Sequence, residues 1–180
     1  MKKQKSLILS VSFLFLFAAT ASAQTDTAEH DVTMQVDPIA VLDIHGTDIT
    51  LTVEAPAIGG ETPSNPQNDT CWLQYTSTVG SDLTRSINVN WAGDTAPSGC
   101  ILWITATPSG NLNEGASAGA QSFEAVLPKN VITGIGSCAT GIGFGNGANL
   151  FYTLAVDTMT SLVAGESNTA TVTYTLLDDS

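Results

Sequence analysis

Apolar residues recur at every second position through much of the chain, the period of a β-strand with one buried face. The stretch 31–36, DVTMQV, sets Val32, Met34 and Val36 on one side, and 48–53, DITLTV, does the same with Ile49, Leu51 and Val53. RSINVNW (85–91) aligns Ile87, Val89 and Trp91, and LFYTLAV (150–156) aligns Leu150, Tyr152, Leu154 and Val156. TATVTYTLL (169–177) aligns Ala170, Val172, Tyr174 and Leu176, with threonines on the other side. AVLDI (40–44), WLQYT (72–76), ILWITA (101–106) and SFEAVL (122–127) are shorter candidates. Clusters rich in Gly, Pro, Ser and Asn separate them, at 55–69, 92–99, 107–120 and 132–147. About nine short strands with such punctuation predict an all-β fold, an antiparallel β-sandwich with one buried face per sheet. Strand number and spacing favour an immunoglobulin-like arrangement, with a jelly roll or open barrel as the alternatives.

The start of the chain breaks this pattern. Lys2, Lys3 and Lys5 precede an apolar run, Leu7 to Ala18, and Ala21-Ser22-Ala23 supplies small residues for cleavage. These are the three parts of a secretory signal peptide, and the apolar run is shorter than the ~20 residues a spanning helix needs. The expected organisation is a signal peptide over 1–23, a disordered lead-in over 24–30 and a single sandwich domain over 31–180. Export through the Sec pathway would deliver the mature chain to the periplasm, the outer cell surface or the medium. After cleavage no segment is apolar enough to cross a bilayer, so the mature chain is expected not to span a membrane.

Cleavage also changes the charge balance, because three of the five basic residues leave with the signal. Arg85 and Lys129 then stand against 17 carboxylates. Nucleic acid is excluded as a partner, since nothing is available to neutralise phosphates.

Cys71, Cys100 and Cys138 would enter an oxidising compartment. Three is an odd number, so at most one internal bridge forms. If 72–76 and 85–91 make a hairpin and 101–106 runs beside the latter, Cys71 and Cys100 start strands at one end of a sheet. They are the disulfide candidate, with Cys138 the free thiol; Cys100–Cys138 is the alternative pairing.

Catalytic motifs were weighed and none matches. In ITGIGSCATGIGFGNG (132–147), Gly134 and Gly136 lack the third glycine of a dinucleotide fingerprint, and no lysine follows for a phosphate loop. The stretch reads as a tightly bending loop. Cys138 has no histidine near it in sequence to lower its pKa, and no G-x-S-x-G is present. Asp43, His45 and Asp48 read as a polar turn rather than a metal cluster, and Asp69, Asp94 and Asp157 form no calcium-loop pattern. No catalytic residue, metal ligand or cofactor is therefore expected. Trp91 continues the inward Ile87–Val89 face, whereas Trp72 and Trp103 are candidates for an exposed aromatic surface that stacks on sugars.

The stretches CWLQYTSTVGSDLTRSINV, APSGCILWITAT, NVITGIGSCATGIGFGNGANLFYTLAV and TATVTYTLLDDS resemble a group of uncharacterised exported proteins of Bacteroidetes-type bacteria. The resemblance covers roughly residues 70–178; it implies export and a β-sandwich and transfers no catalytic residue. More weakly, DVTMQVDPIAVLDI and the terminal alternating strand are similar to fimbrial major subunits and spore-coat-like secreted domains. That similarity implies strand addition between subunits, with Val32, Met34 and Val36 in the donor segment. The two-cysteine pattern of many pilins is not clearly present, and the chain runs six residues past Tyr174.

The function these features imply is that of an exported, non-enzymatic structural or adhesive, fimbria-like protein of the cell envelope. It would contact copies of itself or other surface subunits through strand edges. A glycan- or calcium-binding module is the alternative, and a secreted hydrolase a more remote one.

Overall fold

The computed structural model describes residues 27–123 and 128–179. The expected signal peptide, residues 24–26 of the lead-in and residues 124–127 of the expected strand SFEAVL lie outside the described residues. The chain divides into a leading unit that ends at Gln35 and a second unit from Val36 onward. In the leading unit residues 27–35 form no helix or strand, and their side chains are exposed.

The second unit holds the strands β1 (Ile39–His45), β2 (Gln67–Thr78), β3 (Arg85–Gly93), β4 (Cys100–Pro108) and β5 (Ala116–Ser117). They are followed by β6 (Gln121–Ser122), β7 (Lys129–Ile135), β8 (Cys138–Ala139), β9 (Ala148–Val156) and β10 (Ala170–Asp178). One sheet runs β1-β2-β9-β4-β6, with β8 joining β2 on the edge that β9 uses further along; the other runs β10-β3-β7-β5. Every pairing is antiparallel. The two sheets pack into an all-β sandwich.

Alternation builds the interior. Leu73 and Tyr75 of β2, Leu150 and Tyr152 of β9, and Ile104 and Ala106 of β4 form one wall. Ile87 and Val89 of β3 meet them with Val131, Ile132 and Ile135 of β7. Trp91 extends that inner face and stacks on Phe123 with ring centroids 4.0 Å apart. A fully buried Leu or Ile contributes roughly 1.5–3 kcal/mol relative to exposure, so these facing rows carry most of the fold.

Three expectations fail, each for a definable reason. The strand expected at 31–36 does not form: Val32, Met34 and Val36 are all well exposed, and the stretch joins no ladder among the described residues. The stretch 48–53 keeps its alternation, with Ile49 and Leu51 packed on the core, yet it joins no ladder. Thirdly, 132–147 is not one loop, because Ile132–Ile135 belongs to β7 and Cys138–Ala139 forms β8. Register shifts between β3 and β7 insert extra residues on β7, so Val131 and Ile132 are both buried although adjacent. Gly134, at φ +71, supplies the bend that the second shift requires.

Gly147 closes the turn into β9 at φ +89, and a Cβ there would overlap the carbonyl oxygen of Leu73. Gly147→Ala should cost about 2–3 kcal/mol and lower the melting temperature by roughly 5–10 °C. Gly59→Ala, in open space with an ordinary φ, should leave it nearly unchanged. Thermal unfolding followed by circular dichroism checks both.

Candidate functional site

The interior is not filled evenly. A cleft of about 1110 Å³ opens between residues 46–52, the stretch 165–174 and the inner faces of β4 and β9. Leu102, Leu150 and Leu154 line it from one sheet, and Val172 and Tyr174 of β10 from the other. β10 is the last strand of its sheet: beyond β3 it pairs with no strand among the described residues. A trough with apolar inner walls and a rim of threonines, Asp48 and Glu166 therefore runs beside an edge that is unpaired among the described residues.

Inside the trough the hydroxyls of Tyr152 and Tyr174 meet at 2.5 Å, linking the two sheets. Burial pushes Tyr152 up to about 12, against the lowering effect of its hydrogen bond with Tyr174. Burial raises Tyr174 further, reinforced by the charge and hydrogen bond of Tyr152. Tyr75 is also raised, first by burial and then by Glu114 and Cys138; its hydroxyl donates to the Glu114 carbonyl at 2.6 Å. The Glu114 carboxylate is buried and accepts from Ser109 Oγ at 2.5 Å and from Asn111 Nδ2 at 3.1 Å. That cluster ties down the turn before β5.

The cysteines do not come together. Cys71 lies opposite Leu150 and Cys100 opposite Val156, on the two flanks of β9. Six residues along β9 plus two strand spacings separate them by roughly 20 Å, whereas a bridge needs α-carbons within about 7 Å. Cys138 lies opposite Ser77, six residues along β2 from Cys71, and at the far end of the sheet from Cys100. The expected Cys71–Cys100 bridge and its Cys100–Cys138 alternative are both corrected: all three thiols are free. The expected hairpin of 72–76 with 85–91 is the source of the error, since β2 and β3 belong to different sheets. Burial and Glu114 raise the Cys138 thiol. The nearest residue to His45 on β2 is Trp72, five positions from Ser77, which leaves imidazole and thiol well over hydrogen-bond reach.

Asp43 and His45 lie on β1, exposed, and Asp48 follows it. Among the described residues no three of His, Cys, Asp and Glu are grouped to hold a metal ion, and no helix is long and apolar enough to cross a membrane.

Trp72 and Trp103 do share one surface. Cys71, Leu73 and Tyr75 face the core, so Trp72 faces outward; Trp103, between Leu102 and Ile104, does likewise. Phe151 joins them from β9, which sequence reasoning missed because it sits inside the apolar run LFYTLAV. The remainder of the glycine-rich stretch lies on the same face. Tyr75 N–H donates to Thr140 Oγ1 and Gln74 Nε2 to the Gly143 carbonyl, at 3.0 and 2.7 Å. This seats Phe144 edge-on to Trp72, with centroids 5.6 Å apart.

Comparison with known protein families, with curated proteins and with solved structures finds no match to this chain.

Two solution measurements follow from this geometry. Unfolded in denaturant without reductant, the protein should titrate three thiols per chain with Ellman's reagent; one thiol would mean an internal bridge. All three tyrosines bind their protons more tightly folded than unfolded. The stability this confers is complete below the unfolded value of 10.0 and is lost as pH rises through about 12 for Tyr152. Phenolate absorbance at 295 nm should stay flat past pH 10 and then rise together with loss of the fold.

Proposed function

We propose that the protein is an exported, non-catalytic structural subunit of the cell envelope or surface, fimbria-like in that copies join by strand addition. The observation that carries this reading is a pair of complementary defects in one chain. The cleft beside β10 offers apolar walls and an unpaired edge. Residues 31–36 offer alternating apolar side chains outside any ladder, Met34 being 87% exposed.

Strand addition would resolve both. An incoming 31–36 segment from another copy spans roughly 20 Å, long enough to hydrogen-bond along the Ala170–Tyr174 part of β10. Val32, Met34 and Val36 would enter the cleft, each contributing roughly 1.5–3 kcal/mol of burial, while the main chain supplies affinity irrespective of side chain. An uncapped edge is otherwise an aggregation hazard. In this reading assembly follows export, in the periplasm or outside the cell, which the signal-like start supports. Mutual repulsion among the carboxylates keeps unassembled copies apart.

The mature chain should form oligomers that resist SDS without boiling. Deleting residues 24–36, or introducing Val32→Asp with Met34→Asp, should abolish them while leaving the melting temperature of the monomer within a few degrees. A synthetic peptide covering 29–37 should raise the melting temperature of the truncated chain. Polymerisation of the truncated form to the same extent as the intact chain would rule strand donation out.

A further inference from the structure

The outer face of the β1-β2-β9-β4-β6 sheet lies on the opposite side from the cleft, and strand addition makes no use of it. Its register sets aromatic rings in a line. Trp72 lies opposite Asn149 and Trp103 opposite Thr153, so Phe151 falls midway between them on the central strand. Adjacent rings in this diagonal are about 8 Å apart. Phe144 packs edge-on against Trp72, with ring centroids 5.6 Å apart. The three strand rings span roughly 16 Å from Trp72 to Trp103.

We propose that this row binds an uncharged polysaccharide chain lying along Phe144, Trp72, Phe151 and Trp103. A pyranose ring has an apolar face of C–H groups and a rim of hydroxyls. It stacks on an aromatic ring while its edges hydrogen-bond to flanking polar groups. The face has that composition. Thr105, Asn149 and Thr153 alternate with the rings, and Asp43 and His45 stand beside Gln74 and Trp72 on β1. A protein partner would call for a contiguous apolar patch; here the rings are separated by amides and hydroxyls.

Charge selects among glycans. Of the two basic residues of the mature region, Arg85 is buried and bound to Asp178. Lys129 donates its ammonium at 3.0 Å to the carbonyl of Ser122, which lies opposite Trp103, so this cation sits paired at the β6 edge of the sheet. With that single engaged cation at one edge and Asp43 at the other, the face favours an uncharged chain over a sulfated or uronic-acid polymer.

The glycine-rich stretch gains a purpose from this. Thr140 and Gln74 pin its start and middle to β2, Gly147 returns it to β9, and the Phe144 ring between them is 74% exposed.

Native gels cast with hydroxyethyl cellulose, xyloglucan, galactomannan or soluble starch test the idea on the mature chain, with alginate as the anionic comparison. Retardation in at least one neutral gel, with a tryptophan fluorescence shift on titration, is the expected result. Phe144→Ala and Trp103→Ala should each weaken it at least about tenfold. Both side chains are exposed, so each variant should keep the wild-type melting temperature and the same oligomers, which separates this site from the cleft. Unretarded migration in every neutral gel, retention in alginate alone, or full-strength binding by both variants would overturn the proposal.

Discussion

Every long strand must bury alternate side chains between two sheets, and whatever polar group falls on an inward position must find its partner there. Arg85 shows the constraint at its sharpest. It lies at an inward position at the start of β3, almost fully buried, and its guanidinium reaches three other strands. Nε donates to Asp178 of β10 at 2.6 Å, while Nη1 donates to Ser77 of β2 at 3.3 Å and to the Ile39 carbonyl of β1. A buried cation left without these acceptors would be strongly destabilising. The partners come from both sheets, so the charge is satisfied only when the sandwich is closed. Tyr75 with Glu114, and Tyr152 with Tyr174, obey the same rule.

The sheets differ in extent, and the functional proposals follow from where each runs out. The four-stranded sheet ends at β10, and the cleft opens there beside Leu102, Val172 and Tyr174. Residues 48–53 shelter one side of that gap through Ile49 and Leu51 without hydrogen-bonding to an edge. The larger sheet lines the cleft with the inner faces of β4 and β9 and bears the aromatic row on its outer face. One surface suits a strand and the other a chain of rings, and the two lie on opposite sides of β9.

Legibility in the sequence tracked strand regularity. β2, β3, β4, β9 and β10 all contain stretches expected from alternation, and Ile87, Val89 and Trp91 of β3, Leu150 and Tyr152 of β9, and Val172, Tyr174 and Leu176 of β10 pack on the core as aligned. β7 was missed because its register shifts put Val131 and Ile132 inside together and bring Gly134 into the strand, which erases the two-residue period. Residues 31–36 show the reverse failure: a strong period that joins no ladder among the described residues. β5, β6 and β8 are two residues each, too short to carry any period. The inward place of Trp91 was legible because it continues an uninterrupted row; the outward row of Trp72, Phe151 and Trp103 was only half legible, because Phe151 hides among aliphatic residues.

Alternation and turn composition determined by themselves that the chain is all-β and which side of its regular strands is apolar. These are local properties, written in neighbouring residues. Only the tertiary structure decided which strands are neighbours, and from that came the separation of the three thiols, the unpaired edge of β10, the cleft beside it and the line of rings. A two-residue period records which face a side chain occupies and carries no information about the strand across from it. Cross-strand distances are set by long-range pairing and register, and β9 lying between β2 and β4 was the arrangement that chain order concealed.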